Sequence, residues 1–280
     1  MNDETSPMVL DSPSAQRRTK AVSSATPSPE RSDSGRRTVH LSLQGKGGVG
    51  KTLIASLLLQ YCQHTGREVV GYDADPVNVT LSSVKGLAAQ PIKLVEGENL
   101  VVATADQFVE DLLTCPTDVV LDNGAAGFLA VSTYLVESQI AELLHAAGRD
   151  LVIHVAVAGG QAFLDCLNGL DALVRNFPET VRFVVWTNEY FGPISFSVDG
   201  GPEVRFEDTE AYRNAKARVI GTVHLRLQNP HTFGANLERM LSRRLTFDEA
   251  LDPANGFNTV ERSRLSLIQK DIFSQLAIVL

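Results

Sequence analysis

Short continuous apolar runs alternate along most of this chain with stretches in which apolar residues recur every three or four positions. Continuous runs bounded by turn residues predict strands buried on both faces, and the helical spacing predicts helices packed over them. Strands are expected over residues 39–43, 68–73, 118–122, 151–157, 181–186 and 219–225, with a further one at 91–96. Helices are expected over 52–64, 106–113, 129–147 and 161–177, between 186 and 219, and throughout 233–280. The first helix groups Leu53, Ile54, Leu57, Leu58, Tyr61 and Cys62, and the last carries a stripe of Leu265, Ile268, Ile272 and Leu276. This alternation predicts an α/β fold: a mainly parallel sheet with helices on both faces, as one domain over residues 38–280.

Residues 1–37 depart from the pattern. They hold eight Ser, four Pro and three Thr and no aromatic residue. Such a segment buries too little apolar surface to offset its ordering entropy, so a disordered tail is expected. Its charge is +1 against −8 for the whole chain, which leaves −9 for the rest. An acidic body argues against broad electrostatic binding to nucleic acid. Arg239, Arg243 and Arg244 form a local basic group, diluted by Glu238, Asp248 and Glu249. DNA contact is therefore weakly supported, and a solvated face is the plainer reading. Cys62, Cys115 and Cys166 are too far apart for a cysteine-rich metal site and leave an odd thiol, which suits a reducing cytoplasm. No apolar run reaches the ~20 residues of a membrane helix. His154, inside an apolar strand, reads as a satisfied core histidine rather than a ligand.

Between the first strand and first helix lies Gly45-Lys46-Gly47-Gly48-Val49-Gly50-Lys51-Thr52, which fits G-x-x-x-x-G-K-[ST]. Glycines let the backbone curl so that successive N–H groups surround phosphate oxygens, and the helix N-terminus adds attraction. Lys51 is placed to reach the β- and γ-phosphates, and Thr52 to ligate Mg²⁺. Asp122 ends an apolar strand, where a carboxylate reaches the metal through water. Asp73 and Asp75 follow the second strand, and two carboxylates so close call for a cation or polarised water nearby. An Asp-Pro turn with capping carboxylates is the alternative. Asn188 ends a later strand where a base would lie, with no following Asp to read guanine, so ATP is favoured over GTP. A strand-end turn is its alternative.

Lys46, just after the first glycine, resembles the extra lysine in the deviant Walker A loop of the ParA/MinD-type ATPases. The segments Leu43-Gln-Gly-Lys, Asp75-Pro-Val-Asn, Leu121-Asp-Asn-Gly-Ala-Ala, Asn188-Glu-Tyr-Phe-Gly-Pro-Ile and Leu245-Thr-Phe-Asp-Glu-Ala resemble the TraL-type conjugal-transfer branch. The plasmid StbC and MobD proteins are similar. The resemblance implies two subunits facing each other across two ATP molecules, with Lys46 crossing to the partner's phosphates. It implies that Asp75 positions the attacking water and that Asp122 holds Mg²⁺ indirectly. The implied function is a Mg-ATP-dependent, dimerising ATPase switch, slow and partner-stimulated, in plasmid transfer, mobilisation or stability. A nucleotide-binding scaffold with negligible turnover is the alternative. The expected site is thus Lys46, Lys51 and Asp75 for catalysis. Gly45, Lys46, Gly47, Gly48, Val49, Gly50, Lys51, Thr52 and Asn188 would hold ATP, and Thr52, Asp73 and Asp122 would serve Mg²⁺. The segment Asp122-Asn-Gly-Ala-Ala-Gly127 departs from the D-T-P-P-G common in the wider family, which leaves the γ-phosphate sensor open.

Overall fold

The computed structural model describes residues 35–75, 80–197 and 201–280. The strands are β1 (Arg37–Ser42), β2 (Val69–Asp73), β3 (Gln90–Pro91), β4 (Val95–Glu96), β5 (Asn99–Leu100), β6 (Asp118–Asp122), β7 (Arg149–Ala158), β8 (Arg182–Asn188), β9 (Ser195–Phe196), β10 (Val204–Arg205) and β11 (Val219–Leu225). The helices are α1 (Lys51–His64), α2 (Val102–Thr114), α3 (Phe128–Glu137), α4 (Ile140–Ala146), α5 (Phe163–Asn176), α6 (Glu210–Ala215), α7 (Phe233–Ser242), α8 (Phe247–Leu251) and α9 (Thr259–Val279).

Seven strands form one sheet in the order β11-β8-β7-β1-β6-β2-β3, and every pairing in it is parallel. Successive residues of a strand point to opposite faces. In β6 all of them are buried, and in β7 all but one, so helices cover both sides of the sheet centre. The chain runs from β1 outward to β2, returns to β6, then crosses to β7 on the other flank of β1. The strand order therefore reverses at β1, and the crevice beyond its C-terminal end is where such sheets bind ligands.

The central helix α1 is buried nearly all round, including Ser56, Leu59 and Gln60, and not only along the expected stripe. It closes tightly on β2, because a Cβ on Gly71 would lie 2.6 Å from Leu59. The α9 stripe of Leu265, Ile268, Ile272 and Leu276 is buried as expected.

Several boundaries differ from the sequence reading. The stretch 129–147 is two helices, separated at Gln139, whose φ of 52° is left-handed. The stretch 233–280 is three helices, with side-chain caps at Thr246 and Asn258 starting the second and third. The strand expected at 91–96 is two short pieces, β3 and β4, in different sheets. Helix α2 begins at Val102, with no side-chain cap to mark its start. Arg37 opens β1, and Arg36 donates to Asp150 at 2.8 Å, so the folded part begins before Thr38. The disordered tail expected over 1–37 otherwise lies outside the described residues, as do Pro76, Val77 and Asn78.

The two sheet edges are dissimilar. On one side β3 is only two residues long. On the other, the Gln275 side chain meets β11: its Oε1 accepts the His224 N–H at 2.7 Å, and its Nε2 donates to the His224 carbonyl at 3.3 Å.

Candidate functional site

The loop from Gly45 to Gly50 leaves β1 at the strand-order reversal and runs directly into α1. Gly48 and Gly50 have φ of +73° and +110°, which L side chains rarely adopt. Gly50 is the N-cap of α1 and makes no side-chain cap, so the first-turn N–H groups stay available to an anion. Lys51 is buried at the first helical position, and its Nζ donates to the Lys46 carbonyl at 2.8 Å across the loop. Burial lowers its pKa, while Asp122 and Asp75 pull the other way. A cavity of about 410 Å³ opens over Gly47, Gly48, Gly50, Lys51, Thr52 and Asp75, with Ala125 and Ala126 on its far side.

Asp122 ends β6 beside this cavity and is 1% exposed, yet among the described residues neither carboxylate oxygen has a hydrogen-bond partner. Burial pushes its pKa up to about 7, reinforced by Asp73 and Asp75; Thr52, nearby but outside hydrogen-bond geometry, and Lys51 oppose the shift. A buried, orphaned carboxylate next to a threonine hydroxyl fits a hydrated divalent cation, which would satisfy it and favour its charged form. Thr52 and Asp122 therefore suit Mg²⁺. Asp73 is differently occupied. Its Oδ2 accepts from Ser82 N at 2.9 Å and Ser82 Oγ at 3.0 Å, and its Oδ1 accepts from Asp75 N at 3.2 Å. It thereby ties Ser82 to the backbone at Asp75. The Asp75 side chain lies over Gly124, where a Cβ would come within 2.7 Å of its carboxyl carbon. The two acidic loops thus touch beside the phosphate cavity.

Asn188 reaches the site from the end of β8, but as a brace. Its Nδ2 donates to the Val49 carbonyl at 3.0 Å and its Oδ1 accepts from Tyr190 N at 3.1 Å. A second cavity, of about 490 Å³, shares Gly48 and Leu53 with the first and is bordered by Asn188, Tyr190, Arg226 and Leu227. Lys46 is turned away from the phosphate cavity, and its Nζ pairs with Asp165 of α5 at 2.7 Å. That hydrogen bond and charge raise its pKa. Ser82, Asp165 and Gln44 were not singled out by the sequence reading. Ser82 and Asp165 fit no motif, and Gln44 entered only as part of the segment Leu43-Gln-Gly-Lys, with no role of its own.

Other residues singled out from the sequence have structural settings. His154 is fully buried, accepts from Trp186 Nε1 at 3.0 Å, and lies 3.0 Å from His40 Nδ1 through its Nε2. Arg239 pairs with Glu261 at 3.0 Å, and both Arg239 and Arg243 lie over the Phe257 ring. All three cysteines are free. Among the described residues, no helix is long and apolar enough to cross a membrane.

Residues 42–242 match the family described as the CobQ/CobB/MinD/ParA nucleotide binding domain. Two Escherichia coli proteins, each named Protein TraL, are 37% and 38% identical to this chain over 238 residues, covering 85% of it and 96% of themselves. Among solved structures, a MinC:MinD cell division protein complex from Aquifex aeolicus is 15% identical, covers 86% of this chain and 95% of its own, and has a TM-score of 0.47. The phosphate loop at the strand-order reversal, the family match over most of the chain and the TraL relatives agree, and the chain belongs to the CobQ/CobB/MinD/ParA nucleotide-binding family.

Proposed function

We propose that this protein is a Mg-ATP-dependent ATPase switch that dimerises on ATP and acts in plasmid transfer, mobilisation or stability. The observation that carries the reading is the buried, unpartnered Asp122 beside Thr52 and the phosphate loop. Bound Mg²⁺ would neutralise phosphate charge. Thr52 and Asp122 hold it, and Lys51, with the loop N–H groups, binds the phosphates. Asp73 keeps the loop of Asp75 in place through Ser82, and so serves the metal less directly than the motif suggests. Asp75 orients the attacking water. Asn188 braces Val49, and the neighbouring cavity receives the base; Phe191 stands where N-K-x-D carries its guanine-reading Asp, and the Glu189 carboxylate accepts the Leu227 N–H. The TraL relatives support a role in conjugal transfer, and partners from that machinery are the ones to seek. Three free cysteines suit a cytoplasmic location.

Lys46 is the residue that makes this a dimer switch. Lys51 already serves the phosphates from within one subunit, and in the empty site Lys46 is held away from them by Asp165. Its charge is useful on the nucleotide of a facing subunit. Phosphate release and light scattering with Mg-ATP test the whole reading. Asp75→Ala should bind ATP but turn it over about 10²–10⁴-fold more slowly. It should accumulate as a dimer, and Lys46→Ala in the same background should return it to monomer. A dimer that persists in the double variant would sink the role of Lys46. Dimerisation without turnover by the parent would favour the scaffold.

A further inference from the structure

Gln44 stands one residue ahead of the phosphate loop and is 1% exposed. Its carboxamide is used at both ends. Nε2 donates to the carbonyls of Ala156 in β7 and Cys166 in α5, each at 3.2 Å, and Oε1 accepts the Gly45 N–H at 2.8 Å. The last bond takes the Gly45 donor away from any ligand and fixes the direction in which the loop leaves β1. One turn further along α5, Gly169 faces the same carboxamide, and a Cβ there would overlap Gln44 Oε1. A glycine inside a helix costs about 1 kcal/mol relative to alanine. Its presence in the middle of α5 is explained by the need to admit Gln44. A second tie runs in parallel on the surface, from Lys46 to Asp165 of the same helix.

We propose that Gln44 is a positioning residue of the phosphate loop that couples it to α5, so that loop and helix hold and change their geometry together. The loop cannot do this alone. It relies on glycines at positive φ, which impose little stiffness of their own. A buried carboxamide has fixed donor and acceptor directions, and leaving one end unpaired is costly, so it transmits displacement in both directions. A shift of α5 caused by a partner would reach the phosphates through Gln44, and nucleotide entering the loop would reach α5 by the same path. The proposal rests on the nucleotide-binding reading above.

The test is a double-variant cycle read by calorimetry with Mg-ADP. Gly169→Ala touches neither the loop nor the phosphate cavity, and alanine alone would favour the helix. It should nevertheless weaken Mg-ADP binding about tenfold, as should Gln44→Met, the equivalent of one well-made hydrogen bond. In a Gln44→Ala background, Gly169→Ala should have no further effect, because the new methyl group has nothing to strike. Parent-like affinity in Gly169→Ala and Gln44→Met, or effects that multiply in the double variant, would overturn the coupling. If Gly169→Ala does not fold, Gln44→Met decides it alone. If the parent fails to bind Mg-ADP, the nucleotide reading falls, and the coupling is read from amide hydrogen exchange in the nucleotide-free protein. Faster exchange across residues 46–50 in Gly169→Ala or Gln44→Met would support it, and unchanged exchange would reject it.

Discussion

With both oxygens buried and unpartnered, Asp122 burdens the empty protein. Its pKa rises from 3.8 to about 7 on folding. An acid whose folded pKa is raised costs stability as pH climbs between those two values, and the cost is complete above pH 7. The shift corresponds to about 4 kcal/mol. An asparagine amide in its place would be left short of partners at about 1–3 kcal/mol, the smaller penalty. Asp122→Asn should therefore melt several degrees higher than the parent at pH 8 without nucleotide, and lose the stabilisation that Mg-ATP gives. A lower melting temperature in the variant would show that the carboxylate is not a burden. Lys51, Thr52 and the glycines were legible in the sequence because a phosphate loop is a local object, closed within eight consecutive residues. The brace from Asn188 to Val49 and the ties from Gln44 to Cys166 and Lys46 to Asp165 span 139, 122 and 119 residues, so only the assembled sheet brings them together.

Elements were legible wherever burial sets a period. The parallel strands read as unbroken apolar runs because both of their faces are covered. Helix ends were harder. Thr246 with Glu249 and Asn258 with Glu261 form capping boxes whose spacing is plain in the sequence, and they explain why 233–280 is three helices. The break at Gln139 has no glycine or proline to announce it, and is imposed where α4 turns to pack on β7. Three adjacent strands also build a buried polar chain, from His40 in β1 through His154 in β7 to Trp186 in β8. Burial lowers the His40 pKa from 6.5 to about 4, with Asp118 opposing and Arg67 assisting, and lowers that of His154 well below 6.5 through burial and His40. The unfolded chain takes up these protons first. The stabilisation is complete above pH 6.5 and drains away as pH falls towards 4. Urea midpoints measured at pH 7.5 and pH 5 should differ accordingly, and His40→Leu should flatten the dependence. A slope unchanged in that variant would assign the acid sensitivity to other groups.

At the scale of the whole molecule, the Lys46–Asp165 ion pair would set a condition on the proposed dimerisation. Lys46 cannot hold α5 of its own subunit and the nucleotide of another at once. Asp165→Asn should release it, and mass measured by light scattering should shift towards dimer at lower Mg-ATP concentration than in the parent. An unchanged midpoint would mean that the pair does not compete. The sheet edges limit where a second copy can sit. β3 is too short to template a neighbour, and the carboxamide of Gln275 occupies the hydrogen-bonding groups of His224 where an incoming strand would pair with β11. A strand from another chain would have to displace that side chain before it could add to the row. Copies of this protein would thus be steered away from joining edge to edge into an open-ended fibre, and on the proposed reading repeated cycles of association would end in a closed pair that comes apart again.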